Sequence, residues 1–207
     1  MSGFDNKAEN WDEKPERLER ARRVAEGIQD KIKVNPDMKA FEYGCGTGLL
    51  SFQLHKYFKK IVLADNSRGM LDVLKDKIEK HDVENMEVRY LDLTSDPTPS
   101  EKFDIIYTLM TLHHIPEVDK VITDFSNMLG GSGYLCIADL VEEDGSFHGD
   151  QFQGHNGFTR EELEGLLVKH GFETVDYSII YERKKMIDDR EMIFPVFLLI
   201  AQKSIDS

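Results

Sequence analysis

Apolar strand-like segments alternate with amphipathic helical segments along most of this chain, and this alternation constrains the fold more than any other feature. The five strand-like segments are MKAFEYG, KIVLAD, MEVRYLDL, FDIIYTLM and GYLCIADL. The segments between them place apolar residues three or four positions apart, as helices with one buried face do. Alternating apolar strands and helices are typical of an α/β fold in which helices cover both faces of a parallel sheet.

The C-terminal part of the chain adds one more helix and two more strands to this pattern. The segment TREELEGLLVKHG begins with a capping box from Thr159 to Glu162 and ends at Gly171. The segments ETVDYSIIYERKK and EMIFPVFLLIAQK flank a short charged loop and are predicted to pair as antiparallel strands. The prediction is a doubly wound, Rossmann-like, seven-stranded and mostly parallel sheet with an antiparallel last strand. The apolar run around Pro195 is shorter than the roughly 20 residues of a membrane span, and we interpret it as a buried strand.

The segment FEYGCGTGLLSFQL contains three glycines at alternate positions, Gly44, Gly46 and Gly48. An apolar lead-in, a glycine turn and a helical pattern describe the strand, turn and helix of a nucleotide-binding crossover. The spacing is G-x-G-x-G, however, whereas dinucleotide sites carry G-x-G-x-x-G. The turn therefore predicts a nucleotide-like ligand without identifying a dinucleotide.

Three strands end in carboxylates: Glu42, Asp65 and Asp92. Ligands of doubly wound sheets bind at the carboxyl ends of the strands, so these acids are expected to face one crevice. A pyrophosphate favours a helix N-terminus without nearby anions, whereas a nucleoside that carries a cation favours acids. Asp65 can accept both ribose hydroxyls, Asp92 can accept from the adenine amino group, and Glu42 can orient the turn or meet an ammonium group. This combination fits S-adenosylmethionine (SAM) better than NAD.

The chain resembles the class I SAM-dependent methyltransferases, and within them the small-molecule branch of the ubiquinone- and menaquinone-biosynthesis type. The resemblance runs from about Met38 to Lys203 and is carried by the ordered motifs EYGCGTGLLS, LADNSRGML, YLDL, FDIIYTLMTLHHI and GFTREELEGLLVKHGFE. One departure is MLGGSGYLCIADL, where members carry a Pro-Gly-Gly turn. The resemblance, together with the strand-end argument, implies that these residues bind SAM: Trp11, Glu42, Gly44, Cys45, Gly46, Thr47, Gly48, Asp65, Asn66, Met70, Asp92, Leu93, Thr108 and Leu109.

The N-terminal stretch FDNKAENWDEK carries Trp11 in otherwise polar surroundings. Its aromatic residues either pack onto the core as a hydrophobic staple or belong to a lid, as the N-terminal segment does in relatives of the family. A lid has a physical motive, because methyl transfer benefits from the exclusion of water. We predict a helical cap or lid segment at 1–33 and a SAM-binding methyltransferase domain at 34–207.

Two adjacent histidines, His113 and His114, follow the fourth strand near the expected methyl group. Either is a candidate general base, and the alternative role is packing or loop fixation. Cys45, inside the glycine turn, is interpreted as a small packed group rather than a nucleophile. No cysteine or histidine pair has zinc-like spacing, so no metal is predicted. The loop after the fifth strand is predicted to form a wall of the acceptor pocket with Phe147, His148, Phe152, His155 and Phe158.

The net charge limits the class of binding partner, and the cysteine content indicates the cellular compartment. The net charge of −13 disfavours nucleic acid, and the segment RLERARR, interleaved with glutamate, is interpreted as a solvated helix face. Two cysteines and a start without signal-peptide features predict the cytoplasm.

The predicted function is methyl transfer from SAM to a small-molecule acceptor, with S-adenosylhomocysteine as product. The acceptor atom (O, N, C or S), the need for a general base and the oligomeric state stay open. The alternatives are a non-catalytic SAM-binding protein, an NAD-dependent oxidoreductase, and a methyltransferase acting on nucleic acid or protein.

Overall fold

The computed structural model describes residues 4–149 and 151–205 and contains one seven-stranded sheet with five helices. The strands are β1 (Lys39–Tyr43), β2 (Lys60–Asp65), β3 (Met86–Tyr90), β4 (Phe103–Leu109), β5 (Leu129–Leu140), β6 (Phe172–Ile187) and β7 (Arg190–Lys203). The helices are α1 (Pro15–Lys31), α2 (Leu49–Leu54), α3 (Arg68–Lys80), α4 (Val118–Met128) and α5 (Arg160–Lys169). Within the described ranges, no helix has both the length and the apolar character needed to cross a membrane.

The strand order is β3-β2-β1-β4-β5-β7-β6, and the chain reverses its direction of winding between β1 and β4. Strands β1 to β5 pair in parallel, whereas β7 runs antiparallel to both β5 and β6. The predicted doubly wound sheet with an antiparallel last strand is confirmed. Ligand crevices of such sheets form at the carboxyl ends of the strands beside this reversal.

Side chains of each central strand alternate between two hydrophobic cores. In β1 the side chain of Phe41 joins the core beneath α4, and that of Ala40 joins the core beneath α1 and α3. Val62 and Ile61 divide in the same way in β2. Because both faces are covered, these strands are apolar throughout rather than alternating in polarity.

Helix α1 is part of the second core. It buries Ala21, Val24, Ala25 and Ile28 on one face, and these residues share a cluster with β1, β2 and α3. The matched spacing of three and four residues explains the helix, and Pro15 suits its first position. The domain boundary at residue 33 stays a prediction, but α1 packs as a layer of the sheet.

Strands β6 and β7 form a hairpin with a two-residue turn. Asp188 and Asp189 both have positive φ, 47° and 61°, as the turns that match strand twist require. Pro195 is tolerated in β7 because β5 ends at Leu140, which pairs with Val196, so Pro195 lies beyond the last residue of β5 that pairs with β7.

Candidate active site

A cavity of about 780 Å³ opens at the carboxyl ends of β1, β2 and β4. Its volume lies within the roughly 300–1,000 Å³ of small-molecule sites. Most of the residues predicted from the sequence line it: Trp11, Glu42, Gly44, Cys45, Gly46, Asp65, Asn66, Met70, Asp92, Leu109, His113 and His114. A shallower depression of about 600 Å³ beside α4 lacks the glycine turn and the strand ends.

The glycine turn is pinned to the neighbouring strand. The N–H groups of Gly44 and Cys45 both donate to the carbonyl of Ala64, at 2.8 and 3.0 Å. Gly44 has φ +70°, and a β-carbon there would lie 2.2 Å from the side chain of Thr111. The turn therefore requires glycine at this position for both its conformation and its close approach to the loop after β4.

Asp65 holds the turn and the start of α3 together. Its Oδ2 accepts from the N–H of Gly46 at 2.7 Å, and its Oδ1 accepts from the N–H of Ser67 at 2.8 Å. Burial raises the pKa of Asp65, although these N–H bonds oppose the shift. Each carboxylate oxygen keeps a second lone pair, so the group can also accept from a ribose.

Glu42 is 2% exposed, and its carboxylate accepts from the hydroxyl of Ser51, which also lies 2.8 Å from the hydroxyl of Tyr107. Burial raises the pKa of Glu42 to about 8. The side chain is therefore protonated at neutral pH until a cation approaches it. Burial likewise raises the pKa of the Cys45 thiol well above its usual value, which suits a packed thiol rather than a nucleophile.

Asp92 connects the ends of β2 and β3. It accepts from the side-chain amide of Asn66 at 3.1 Å and from the backbone and hydroxyl of Thr94 at 3.0 and 2.6 Å. Burial raises the pKa of Asp92, but the hydrogen bonds from Thr94 and Asn66 outweigh it, so the pKa lies below its usual range. The group is a permanent carboxylate at the rim of the cavity.

The structure places four predicted cofactor residues outside the cavity wall: Thr47, Gly48, Leu93 and Thr108. Thr108 and Leu109 are successive residues of β4, so their side chains point to opposite faces and only Leu109 reaches the cavity. The hydroxyl of Thr47 donates to Asp12, and Leu93 is fully buried in the core. Backbone contact with a cofactor stays a prediction for these residues.

The N-terminal segment, Phe4 to Lys14, lies over the glycine turn and the start of α3. Asp5 accepts from the hydroxyl of Ser67 at 2.6 Å and from the N–H of Gly69 at 3.1 Å. Asp12 accepts from Thr47 and forms an ion pair with Lys77. Sequence analysis did not identify either aspartate, because their partners lie more than 30 residues away along the chain.

Trp11 belongs to this segment and lines the cavity, and its indole ring contacts the guanidinium of Arg17. The guanidinium of Arg17 lies 3.5 Å from the centre of the indole ring and donates to the Trp11 carbonyl at 2.9 Å. Phe4 contacts both Trp11 and His114 edge-on, with ring centroids 5.8 and 5.1 Å apart. The segment thus joins the glycine turn to the histidines after β4.

The histidines after β4 meet a third histidine from the loop after β5. His113 is 1% exposed, and its Nδ1 lies 2.5 Å from Asp139 Oδ1 at the end of β5. His148 stacks on Phe152 at 3.9 Å. Burial lowers the pKa of His114 to about 3 and that of His148 to about 4, so both are neutral at pH 7. Phe147, His148 and Phe152 line the cavity, as the sequence predicted, whereas His155 borders the depression beside α4 and Phe158 is buried in the core beneath α4.

Several cations, which sequence analysis missed, complete the wall: Lys7, Lys14, Arg17, Arg20 and Arg183. The interpretation of RLERARR as a solvated face holds for Arg22 and Arg23, which pair with Glu19. It is wrong for Arg17 and Arg20, because these two positions are three apart and share the face of α1 that borders the cavity.

Comparison with known proteins agrees with this geometry. A family model described as a methyltransferase domain matches residues 34–176. The chain is 31% identical over 145 residues to an uncharacterised methyltransferase of Schizosaccharomyces pombe, which covers 62% of this chain and 51% of that protein. It is 29% identical over 99 residues to a ubiquinone biosynthesis O-methyltransferase of Coxiella burnetii, covering 48% of this chain and 42% of that protein. The chain thus spans about half the length of these curated relatives.

Among solved structures, a SAM-dependent methyltransferase of Clostridium acetobutylicum superposes with a TM-score of 0.66. The two chains are 17% identical, and the match covers 90% of this chain and 91% of the other. At this identity the likeness supports the fold. The predictions of the family and of SAM rather than NAD as cofactor are confirmed, and the chain belongs to the class I SAM-dependent methyltransferases.

Proposed function

We propose that this chain transfers the methyl group of SAM to a small-molecule acceptor that carries an anionic group. The observation that carries the proposal is the uneven charge of the cavity wall. One half is formed by the glycine turn and the strand-end acids, and the other half is formed by cations and aromatic rings. In a chain of net charge −13, cations concentrated at one internal surface point to a ligand of opposite charge.

Arg20 is the strongest element of this half. Its Nε is buried and has no hydrogen-bond partner within the described ranges. Burial lowers its pKa to about 10, and repulsion from Arg17 and Arg183 acts in the same direction. Arg183 pairs with Glu16 at 3.0 Å and Arg17 donates to the Trp11 carbonyl, whereas the Nε of Arg20 is a buried donor that is left for a ligand. A carboxylate or phosphate on the acceptor would satisfy it with charge-assisted hydrogen bonds.

Bound SAM supplies a methyl group that is already activated as part of a sulfonium, so the protein mainly positions the acceptor in line with it. Asp65 would hold the nucleoside of SAM, and Glu42 would lie toward its amino-acid end. Phe147 and Phe152 line the other half of the cavity, and Trp11 lies beside the glycine turn, where its indole Nε1 is 3.9 Å from the position of a β-carbon on Gly46. These aromatic rings exclude water from the cavity. A general-base role for His113 or His114, needed for an O–H or N–H acceptor, stays a prediction.

The test compares acidic acceptors with their neutral methyl esters, and S-adenosylhomocysteine release is the readout. We expect turnover of acids and weak turnover of the esters. Arg20→Gln should raise the KM for an acidic acceptor by roughly 10- to 150-fold, the equivalent of a charged hydrogen bond, with SAM affinity unchanged. Arg23→Gln is the matched control, since this exposed residue of the same helix pairs with Glu19 outside the cavity.

Equal turnover of acids and esters, or an Arg20 variant that behaves like the control, would contradict the anionic acceptor. SAM binding without product release from any acceptor would favour the non-catalytic alternative. A small acceptor is preferred over nucleic acid because the cations line a cavity rather than an open surface. Both cysteines are free and buried, which agrees with the predicted reducing cytoplasm.

A further inference from the structure

Three imidazoles converge on one wall of the cavity although they come from two separate loops. His113 and His114 follow β4, and His148 lies in the loop after β5. One nitrogen atom of each ring lies within 4.8 Å of the corresponding atoms of the other two, and the ring centroids are 4.1 to 5.4 Å apart. We refer to these three residues as the histidine cluster.

Two nitrogen atoms of the histidine cluster lack partners. The Nε2 of His113 and the Nδ1 of His148 are buried, and neither has a hydrogen-bond partner among residues 4–149 and 151–205. Buried polar side-chain atoms in proteins are mostly hydrogen-bonded, so two exceptions in one cluster require an explanation. Packing alone does not supply it, because an apolar ring would fill the same space without the cost of desolvation.

Asp139 prepares one of these nitrogens as a ligand. Its carboxylate is fully buried, accepts from the N–H of Leu140 at 2.8 Å, and lies 2.5 Å from the Nδ1 of His113. This hydrogen bond places the proton of neutral His113 on Nδ1 and leaves the lone pair on Nε2. A carboxylate behind a histidine is the arrangement that orients metal-ligating imidazoles and makes them more basic.

We propose that the histidine cluster binds a divalent transition metal, with zinc as the best-matched ion, through one nitrogen of each imidazole. Zinc–nitrogen bonds of about 2.0–2.1 Å place tetrahedral ligands about 3.4 Å apart, so the nitrogens must close in by at most about 1.4 Å from the 4.8 Å limit. Three protein ligands leave the fourth position open toward the cavity, as catalytic zinc sites do. The sequence predicted no metal because adjacent histidines and a third from another loop have no diagnostic spacing.

Metal binding does not depend on the proposed function, but the occupant of the open position does. That occupant is the thiol or hydroxyl of the acceptor, which releases its proton to solvent on coordination. The acceptor atom then forms a bond to the methyl carbon, and the electrons of the breaking carbon–sulfur bond neutralise the sulfonium of SAM.

The experiment measures metal binding by the chain of residues 1–207 without SAM or acceptor. After treatment with a chelator, Zn²⁺ is titrated by calorimetry and Co²⁺ by the visible absorption that tetrahedral coordination produces. We expect one equivalent of metal per chain. His148→Ala should weaken binding at least 100-fold and abolish the absorption. His81→Ala is the matched control, because His81 is exposed at the end of α3 and outside the cluster.

Absence of stoichiometric binding, or binding that His148→Ala leaves unchanged, would overturn the proposal. So would equal losses in the His148 and His81 variants, which would indicate surface binding. Retained SAM affinity and a cooperative melt in the His148 variant show that it folds. His114→Ala serves as the second cluster variant if the first unfolds. Methyl transfer by a chain that binds no metal would leave the proposed function standing and reject the metal site alone.

Discussion

The two halves of the cavity differ in how their buried polar groups are satisfied. In the cofactor half, the carboxylates of Asp65 and Asp92 are held by backbone and side-chain donors from the turns beside them. The acceptor half is the part of the wall that is formed by cations, aromatic rings and the histidine cluster. In it, Arg20, His113 and His148 each keep a buried nitrogen without a partner among the described residues. The carboxylates of the cofactor half therefore have hydrogen-bond partners without a ligand, whereas the buried nitrogens of the acceptor half need a ligand to supply their partners.

The halves also differ in how much of each one the family model covers. The family model covers residues 34–176 and includes the glycine turn and the three strand-end acids. In the acceptor half, Arg20 and Arg183 lie outside that range, whereas Phe147, Phe152 and the histidine cluster lie within it. The family model thus covers all three strand-end acids but leaves out the guanidinium groups of Arg20 and Arg183.

The largest expected effect concerns the protonation of Glu42 in the cofactor half. Its pKa is about 8 in the folded chain and about 4.5 when unfolded, so between these values only the folded state holds the proton. The free energy of unfolding should therefore fall as the pH rises, by about 3.5 kcal/mol between pH 5 and 8, since the slope is about 1.4 kcal/mol per unit between the two pKa values and decreases near each of them. Urea unfolding at four pH values measures it.

The control is Glu42→Gln, which keeps the shape and the bond with Ser51 but does not titrate. Subtracting its pH profile removes the other groups, including Asp65 and Lys77, whose charges also act on Glu42. Parallel profiles for the two proteins would contradict the raised pKa. SAM binding at pH 7 should release a proton, because its cationic end favours the ionised carboxylate. Calorimetry in two buffers of different ionisation enthalpy detects this release.

The next largest loss of stability is expected from substituting glycines of the turn, and two glycines of the same turn can be compared. In Gly44→Ala the new methyl group meets the side chain of Thr111 at 2.2 Å, in addition to the strain of φ +70°. In Gly46→Ala, with φ +52°, the nearest atoms are 3.9 Å away. We expect losses of unfolding free energy of about 3 and about 1 kcal/mol, respectively, since only the first combines left-handed strain with overlap.

Chemical denaturation of both variants tests this difference. Gly44→Ala combined with Thr111→Gly separates the two causes. Removal of the Thr111 side chain should relieve the overlap, so the double variant should keep only the loss of unfolding free energy that the backbone strain causes. Equal losses in the two single variants would show that backbone conformation alone sets the requirement for glycine. SAM affinity should fall in both, because the turn borders the cofactor half.

Sequence reasoning correctly predicted the features that depend on residues close together along the chain. The glycine turn, the strand-end acids and the capping box of α5, in which Thr159 accepts from the N–H of Glu162, each depend on residues close together in sequence or on strand alternation. Sequence reasoning assigned Thr108 to the site because it located the end of β4 correctly. It could not tell which face of the sheet each residue of that strand end points to. Alternation fixes that choice only once the register with β5 is known.

The acceptor half could not be predicted in the same way. Arg183 reaches the cavity from β6, and the pair of His113 with Asp139 spans 26 residues. The glutamates between the arginines of α1 suggested a solvated face, yet residues three apart share a side of the helix and can face inward. Such contacts follow from the packing of distant elements, and no local motif encodes them.

The smallest effect concerns the segment that joins the two halves. Deletion of residues 1–14 removes Trp11 and the hydrogen bonds of Asp5 and Asp12, but it leaves α1, which begins at Pro15. Because α1 carries the buried contacts with the sheet, we expect cooperative unfolding with a modest decrease in melting temperature. SAM affinity should fall about tenfold, or about 1.4 kcal/mol, since the cavity loses one wall while the glycine turn stays.

Turnover should fall further than binding, because water then enters beside the methyl group. Trp11→Ala in the full chain is the companion variant, and it should reproduce the loss of turnover with a smaller loss of affinity. Loss of cooperative unfolding in the truncated chain would instead assign the segment to the hydrophobic core as a staple. Unchanged binding and turnover would reject the lid and would mean that the acceptor half closes by other means.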